Sequence, residues 1–238
     1  IDNQLFNCAV VLHCGEVLGI VPKTYIPGYK EYYEQRWFTS GAGLTADLAW
    51  INGVMAPCGT DLLFRAEGTP SFTFAVELCE DLWSPVPPSS LQALAGAALL
   101  FNLSASNELV AKAAYRAQLV RQQSARCIAG YVFASAGVGE STTDVVFGGH
   151  ALIAENGVLL AENARFEREP VLLIADVDAA RLLHDRRTTT SFSAAAEQHA
   201  PSYRVVDLDL EQPHWRTPLQ RTIAPHPFVP ADPAERGQ

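Results

Sequence analysis

Positive charge is scarce in this 238-residue chain: 17 Lys and Arg stand against 26 Asp and Glu, for a formal net charge of −9. No basic run is longer than the pair Arg186-Arg187. Nucleic acid and anionic membrane surfaces are gripped by clustered cations, so this composition argues against both as partners. Long hydrophobic runs are also missing. The longest apolar stretch, residues 91–103, contains Gly96 and Asn102 and falls short of the roughly 20 residues of a membrane-spanning helix. There is no Cys-x-x-Cys pair. The five cysteines, at positions 8, 14, 58, 79 and 127, are odd in number and irregularly spaced, and the six histidines show no ligand spacing. A disulfide framework and a zinc site are therefore not expected, and the thiols read as reduced, in a cytoplasmic setting. The sequence has no Gly-x-Ser-x-Gly, no Gly-x-x-x-x-Gly-Lys-Ser/Thr and no complete Gly-x-Gly-x-x-Gly, and it shows no internal repeat.

What is present is an ordinary core-forming composition, 48% hydrophobic and 18% charged with mean hydropathy +0.06. It begins on Ile1 with no signal peptide, and a strand is under way within a few residues, which reads as a chain cut inside a domain. Residues 5–12 and 17–21 predict a hairpin, and residues 48–55 a second one about Asn52-Gly53. Residues 31–38 suggest a turn or two of helix. Residues 72–78 alternate as a strand, with Phe72, Phe74, Val76 and Leu78 on one face and Thr73, Ala75 and Glu77 on the other. A small helix capped by Ser89 and Ser90 is expected to Ala95, then a strand over 97–103. The longest helix is expected over 108–126, where Leu109, Ala113, Ala117, Val120, Ser124 and Cys127 recur at helical spacing. Strands over 128–134 and 171–177, a hairpin about Asn156-Gly157 and a helix over 179–186 complete the pattern. Residues 188–200 read as a mobile Ser/Thr/Ala-rich loop, and the proline-rich residues 224–238 as a linker. Strand and helix alternate with hairpins between, so the class is α/β with a mixed sheet.

Two residues stand out chemically. Cys79 closes the strongest strand, in Glu77-Leu-Cys-Glu-Asp-Leu-Trp83, where a sharp strand-to-turn junction would expose a nucleophile. Acids flank it, so a thiolate there needs a cation. Lys23, held between Pro22 and Pro27, could supply that cation and stabilise an oxyanion. Glu34, set among Tyr25, Tyr29, Tyr32, Tyr33, Trp37 and Phe38, could hold a substrate amide or orient Lys23. Each also has an ordinary reading: a packed cysteine, a solvated lysine, an exposed acid, and aromatics that form core.

Lys23 and Cys79 lie 56 positions apart, each inside a distinctive string. These strings resemble the nitrilase, or carbon–nitrogen hydrolase, superfamily. Gly19-Ile-Val-Pro-Lys-Thr-Tyr-Ile-Pro-Gly-Tyr-Lys-Glu-Tyr-Tyr-Glu-Gln-Arg36 narrows the resemblance to the glutamine amidotransferase domain of glutamine-dependent NAD synthetases. Val76–Trp83, Pro87-Pro-Ser89, Asn102–Lys112, Ala136–Asp144 and the tail Pro227–Pro233 agree with it in order. The resemblance implies a nitrilase-like four-layer α-β-β-α sandwich, incomplete at the N-terminus. Residues 1–223 would be a partial hydrolase domain and 224–238 a linker towards a synthetase domain. It also implies glutamine hydrolysis through a cysteine thioester, with Cys79 matching the nucleophile and Lys23 the oxyanion-stabilising lysine. Tyr29, Glu34, Trp83, Ser106 and Lys112 match glutamine-pocket positions. No cofactor is implied within this segment, and ATP and magnesium belong to the synthetase domain, where ammonia would convert nicotinate adenine dinucleotide to NAD. A homo-oligomer is implied as well. The proton-relaying glutamate of the family has no match upstream of Lys23, where Asp2 and Glu16 are the acids. The chain by itself is therefore expected to lack normal glutaminase activity. The competing readings are a stand-alone nitrilase-type amidase and an inactive module that only associates with partner chains.

Overall fold

The structure is a computed structural model that describes residues 1, 3–68, 71–210, 218–223 and the single positions 226, 229, 230, 233 and 236. Two hairpins open it. β1 (Cys8–His13) and β2 (Glu16–Pro22) pair antiparallel about Cys14-Gly15, and β3 (Leu48–Ile51) and β4 (Val54–Pro57) about Asn52-Gly53. Both turns place two successive residues at positive φ, the geometry that matches strand twist in a two-residue loop.

The centre is a seven-stranded sheet ordered β10-β9-β8-β7-β6-β5-β11. Its strands are β5 (Leu62–Glu67), β6 (Phe72–Leu78), β7 (Leu99–Ser104), β8 (Gly130–Ser135), β9 (Leu152–Glu155), β10 (Val158–Glu162) and β11 (Arg204–Asp209). β6, β7 and β8 run parallel, whereas β5 and β9 are antiparallel to the strands they flank. The parallel trio ends on one edge of the sheet, so residues 79, 105–106 and 135–136 emerge together, the position where open α/β sheets gather ligands.

The alternation along β6 decides the layering. Val76 and Leu78 point at the β1–β2 hairpin and pack with Ala9, Val21, Phe64 and Leu208. Ala75 points the other way, joining Leu100, Tyr131, Val120 and Cys127 beneath α1 (Pro88–Leu94) and α2 (Lys112–Cys127). Helices, large sheet and hairpin thus stack as successive α-β-β layers of the sandwich that the resemblance implies. Gly19 permits the hairpin's approach: a Cβ there would lie 2.9 Å from the Phe64 ring, which itself stacks on Phe74 at 5.2 Å. Val10 and Leu12 leave the outer face of β1 exposed.

Several local expectations give way to tertiary context. Residues 171–177 form no strand, and Leu172 is 83% exposed; their β-propensity is not realised in pairing with any strand described. Residues 188–200 are not a loop but α4 (Thr190–His199), following α3 (Ala179–Thr188). The Ala194-Ala-Ala196 run favours helix, and Phe192 sits 4.9 Å beneath the Arg186 guanidinium. Arg186 is buried and donates to the carbonyls of Ala97, Cys127 and Ile128 at the ends of neighbouring elements, a long-range anchor with no local signature. α2 starts four residues later than its periodicity suggests. Ala111, at φ 65°, interrupts the backbone, and Leu109 and Val110 turn outward instead of packing. Ser89 does not cap α1: Pro87 precedes it with no side-chain cap, and Ser89 faces the interior. β5 and β11 are strands beyond those expected. The linker expected over 224–238 falls largely outside the described residues.

Candidate active site

β6 delivers Cys79 into a short 3-10 turn, Cys79–Trp83, with its backbone at φ 45°. A left-handed conformation is unfavourable for a residue with a Cβ, and here the surroundings impose it. Asp81 is the fastening. Its buried carboxylate accepts from the Leu78 N–H at 3.0 Å and from the Thr24 and Tyr25 N–H groups at 3.1 and 2.8 Å. The same side chain therefore bends the chain at Cys79 and ties the Pro22–Pro27 loop to the bend. Burial pushes the Asp81 carboxyl up to about 6, against the pull of those three donors.

That tie brings Lys23 to Cys79. Lys23 is fully buried, and its Nζ donates to both Glu34 oxygens, at 2.8 and 2.7 Å. Its backbone is pinned on both sides, by Asn7 O accepting from its N–H and by Gly41 N donating to its carbonyl. Burial pushes the Cys79 thiol up, while the Lys23 charge, the Ala105 backbone and the Ser104 hydroxyl draw it down. A pinned cation beside a half-buried thiol can stabilise both a thiolate and an oxyanion formed by its attack.

Cys79 faces two cavities. One, of about 380 Å³, has Tyr29, Tyr32, Glu80, Trp83 and Lys112 in its lining. The Tyr29 hydroxyl donates to Glu80 at 2.7 Å. Lys112 Nζ stands 5.3 Å from the Trp83 ring centroid and 5.7 Å from that of Tyr32, and donates to the Asn107 side-chain oxygen. Asn107 in turn donates to Glu31 at 2.6 Å. Burial and the nearby Arg116 hold the Lys112 ammonium below its ordinary value. One cavity thus carries both a cation, Lys112, and carboxylates, Glu31 and Glu80, a lining that fits a zwitterionic amino acid. The second cavity, of about 360 Å³, is lined by Asn7, Cys8, Lys23, Glu34, Ser104 and Ser135 among others.

Of the residues singled out in the sequence, Cys79, Lys23 and Glu34 come together, and Tyr29, Trp83 and Lys112 line the cavity on the other side of the thiol. Ser106 lines neither cavity. It lies buried behind Asn107, where its Oγ accepts from Arg116. Glu16 is exposed at the first hairpin turn, and Asp2 is outside the described residues. The aromatic string is not core: Tyr29 and Tyr32 line the cavity, while Tyr25, Tyr33 and Trp37 are exposed. Sequence reading passed over Asn107, Glu80 and Arg116. Arg116 is the largest fully buried side chain and binds Glu108, His150, Ser106 and the Asn107 carbonyl, holding the cavity wall. Its spacing of four from Lys112 on one helix face was the available signal.

The profile of the carbon–nitrogen hydrolase family matches residues 1–187. That span takes in every site residue above and the layered core through most of α3, and the chain belongs to this family. Within it, the chain is 44% identical over 234 residues to the glutamine-dependent NAD(+) synthetase of Mycobacterium tuberculosis (strain ATCC 25618 / H37Rv), covering 97% of this chain and 34% of that protein. It is 42% identical, with the same coverage, to the enzyme of that name from Mycobacterium leprae. The chain thus spans about a third of the length of the curated relatives it matches. Among solved structures, a glutamine-dependent NAD(+) synthetase from Cytophaga hutchinsonii superposes with a TM-score of 0.63 at 30% identity, over 73% of this chain and 27% of that one. A carbon–nitrogen hydrolase from Helicobacter pylori G27 shares the fold at a TM-score of 0.61 and 20% identity, over 80% of this chain and 62% of that one.

Proposed function

We propose that this chain is the glutamine-hydrolysing part of a glutamine-dependent NAD synthetase, with Cys79 as nucleophile. The observation that carries the reading is the left-handed bend at Cys79, tied by Asp81 to the loop of the buried Lys23–Glu34 pair and opening on a cavity suited to an amino acid. Two Lys23 protons engage Glu34, leaving a third for the oxyanion formed when the thiolate adds to the side-chain amide. Collapse of that adduct breaks the C–N bond. The leaving nitrogen takes up a proton and departs as ammonia, and water then cleaves the thioester to glutamate and free thiol. Lys112, with Trp83 and Tyr32 around it, fits the α-carboxylate, and Glu80 with Tyr29 the α-ammonium. Lys112 offers a single charge where a guanidinium would offer a fork.

Among the described residues lining the second cavity Glu34 is the one carboxylate, and Lys23 engages both of its oxygens. The proton acceptor for the thiol is on this reading a further carboxylate brought to that cavity by the parent protein. The ammonia serves a synthetase domain using ATP and magnesium, in the cytoplasm, in an assembly of several copies. No group of three or more His, Cys, Asp or Glu among the described residues is placed to hold a metal ion. No helix among the described residues is long and apolar enough to cross a membrane.

The test is NAD formation by the intact protein with glutamine or ammonium as nitrogen source. Cys79→Ala abolishes glutamine-driven synthesis and spares ammonium-driven synthesis. A variant that retains glutamine-driven synthesis removes Cys79 from the mechanism, and an intact protein using neither source overturns the synthetase reading.

A further inference from the structure

Behind Cys79 lies a buried polar chain that the reaction above does not use. Glu77 precedes Cys79 by two residues on β6 and points to the helix side of the sheet, 1% exposed. Every group bonded to its carboxyl is a donor: the Tyr131 hydroxyl and the Asn102 amide to Oε1, the latter at 3.4 Å, and the Ser89 N–H to Oε2 at 2.9 Å. Asn102, directly opposite Glu77 on β7, accepts the Ser104 hydroxyl on its Oδ1 at 2.6 Å. Ser104, one step further up β7 on the same face, lines the second cavity together with Cys79 and Lys23, and its hydroxyl draws the Cys79 thiol down.

The direction of this chain is fixed by what each group can offer. Once ionised, above about 7, the Glu77 carboxylate only accepts, so it holds the NH2 side of the Asn102 amide and turns the carbonyl side to Ser104. A flipped amide would set two acceptors face to face in a low-dielectric interior, which is strongly unfavourable. Ser104 has one proton. It rests on Asn102 and turns to the sulfur as negative charge builds there.

We propose that Glu77 is a positioning residue for Cys79: through the Asn102 amide its carboxylate holds the Ser104 hydroxyl where it can turn onto the thiolate. The proposal deepens the reading of Cys79 as nucleophile and rests on it. The titratable groups facing Glu77 are Tyr131 from β8, Cys127 from α2, Tyr203 before β11 and Asp81 in the 3-10 turn. Burial keeps the first three neutral around pH 7, with Cys127 and Tyr203 both pushed up to about 12. Asp81 bonds to the Leu78, Thr24 and Tyr25 N–H groups rather than to Ser104, so its influence on the sulfur does not pass through that hydroxyl.

The experiment reads the sulfur itself, as the rate of Cys79 alkylation by iodoacetamide against pH, followed by peptide mass spectrometry on the intact protein. Ser104→Ala, which removes one hydroxyl from a half-buried site, slows alkylation about tenfold near neutral pH. Glu77→Gln slows it several-fold, and the double variant is no slower than Ser104→Ala alone. Unchanged reactivity in Ser104→Ala, or slowing by Glu77→Gln that persists undiminished in the double variant, overturns the proposal. If Glu77→Gln does not fold, wild type against Ser104→Ala decides. The wild-type profile carries an inflection near 7, where burial places the Glu77 carboxyl, and Ser104→Ala erases it. An inflection that survives, or none in the wild type, counts against the proposal. Alkylation needs no glutamine, so loss of the glutaminase reading would show in turnover and leave this readout intact.

Discussion

Lys23 shows how far a single residue's chemistry depends on its neighbours. A solvated lysine on a stiff loop and an oxyanion-stabilising lysine have the same local sequence. Complete burial and two bonds to Glu34 exclude the solvated one. Removing one partner of such a pair leaves the other charge in a poorly solvated place, which costs more than the pair contributes. Lys23→Met therefore lowers kcat for glutamine hydrolysis by about 10²–10³-fold, the loss associated with a missing oxyanion donor, with KM little changed. Thermal melts of the same variant separate this from unfolding. A KM rise at constant kcat would mean that Lys23 binds substrate instead.

At the scale of elements, the site is an alignment of strand ends. β6, β7 and β8 are parallel, so Cys79, the 104–106 segment and Ser135 share an edge, and the β1–β2 hairpin brings Lys23 across the sheet to meet them. The hairpin's closeness depends on Gly19 over Phe64. Gly19→Val forces the layers apart. It destabilises by about 1–3 kcal/mol, the usual range for overpacking, and slows Cys79 alkylation by moving Lys23 away. Urea unfolding together with the alkylation rate checks this, and wild-type stability in the variant would show that the hairpin packs loosely. The strand expected over 171–177 makes the complementary point: β-propensity that no strand pairing takes up leaves Val171, Leu172 and Ile174 in solvent.

For the whole molecule, burial of carboxyls sets a pH dependence. Burial raises the Glu77 carboxyl from 4.5 to about 7, so between those values the native state binds more protons than the unfolded chain. Stability contributed by this group is present below about 4.5 and is lost as pH rises to about 7. His150, lowered chiefly by burial, has the opposite sign, so the comparison is with Glu77→Gln rather than within the wild type alone. Relative to that variant the wild type loses about 1.4 kcal/mol for each pH step in this window and nothing further above it. Urea titrations at several pH values measure the difference, and a flat or rising difference would contradict the burial argument.

The sequence by itself determined the α/β class, both early hairpins, the alternation along β6 and the identity of the thiol and lysine to watch. Those features rest on period-two patterning, turn chemistry and residue type, all of which are local. Only the tertiary structure decided that Asp81 ties the Lys23 loop to the bend at Cys79, that Tyr29 and Tyr32 line a cavity, and that Ser106 sits behind it. It also decided that residues 188–200 fold as a helix on the Arg186 anchor. These depend on hydrogen bonds and packing between residues tens of positions apart. A local pattern carries no information about which distant donor will satisfy a buried carboxylate or guanidinium, and the fold supplies it by closing the layers.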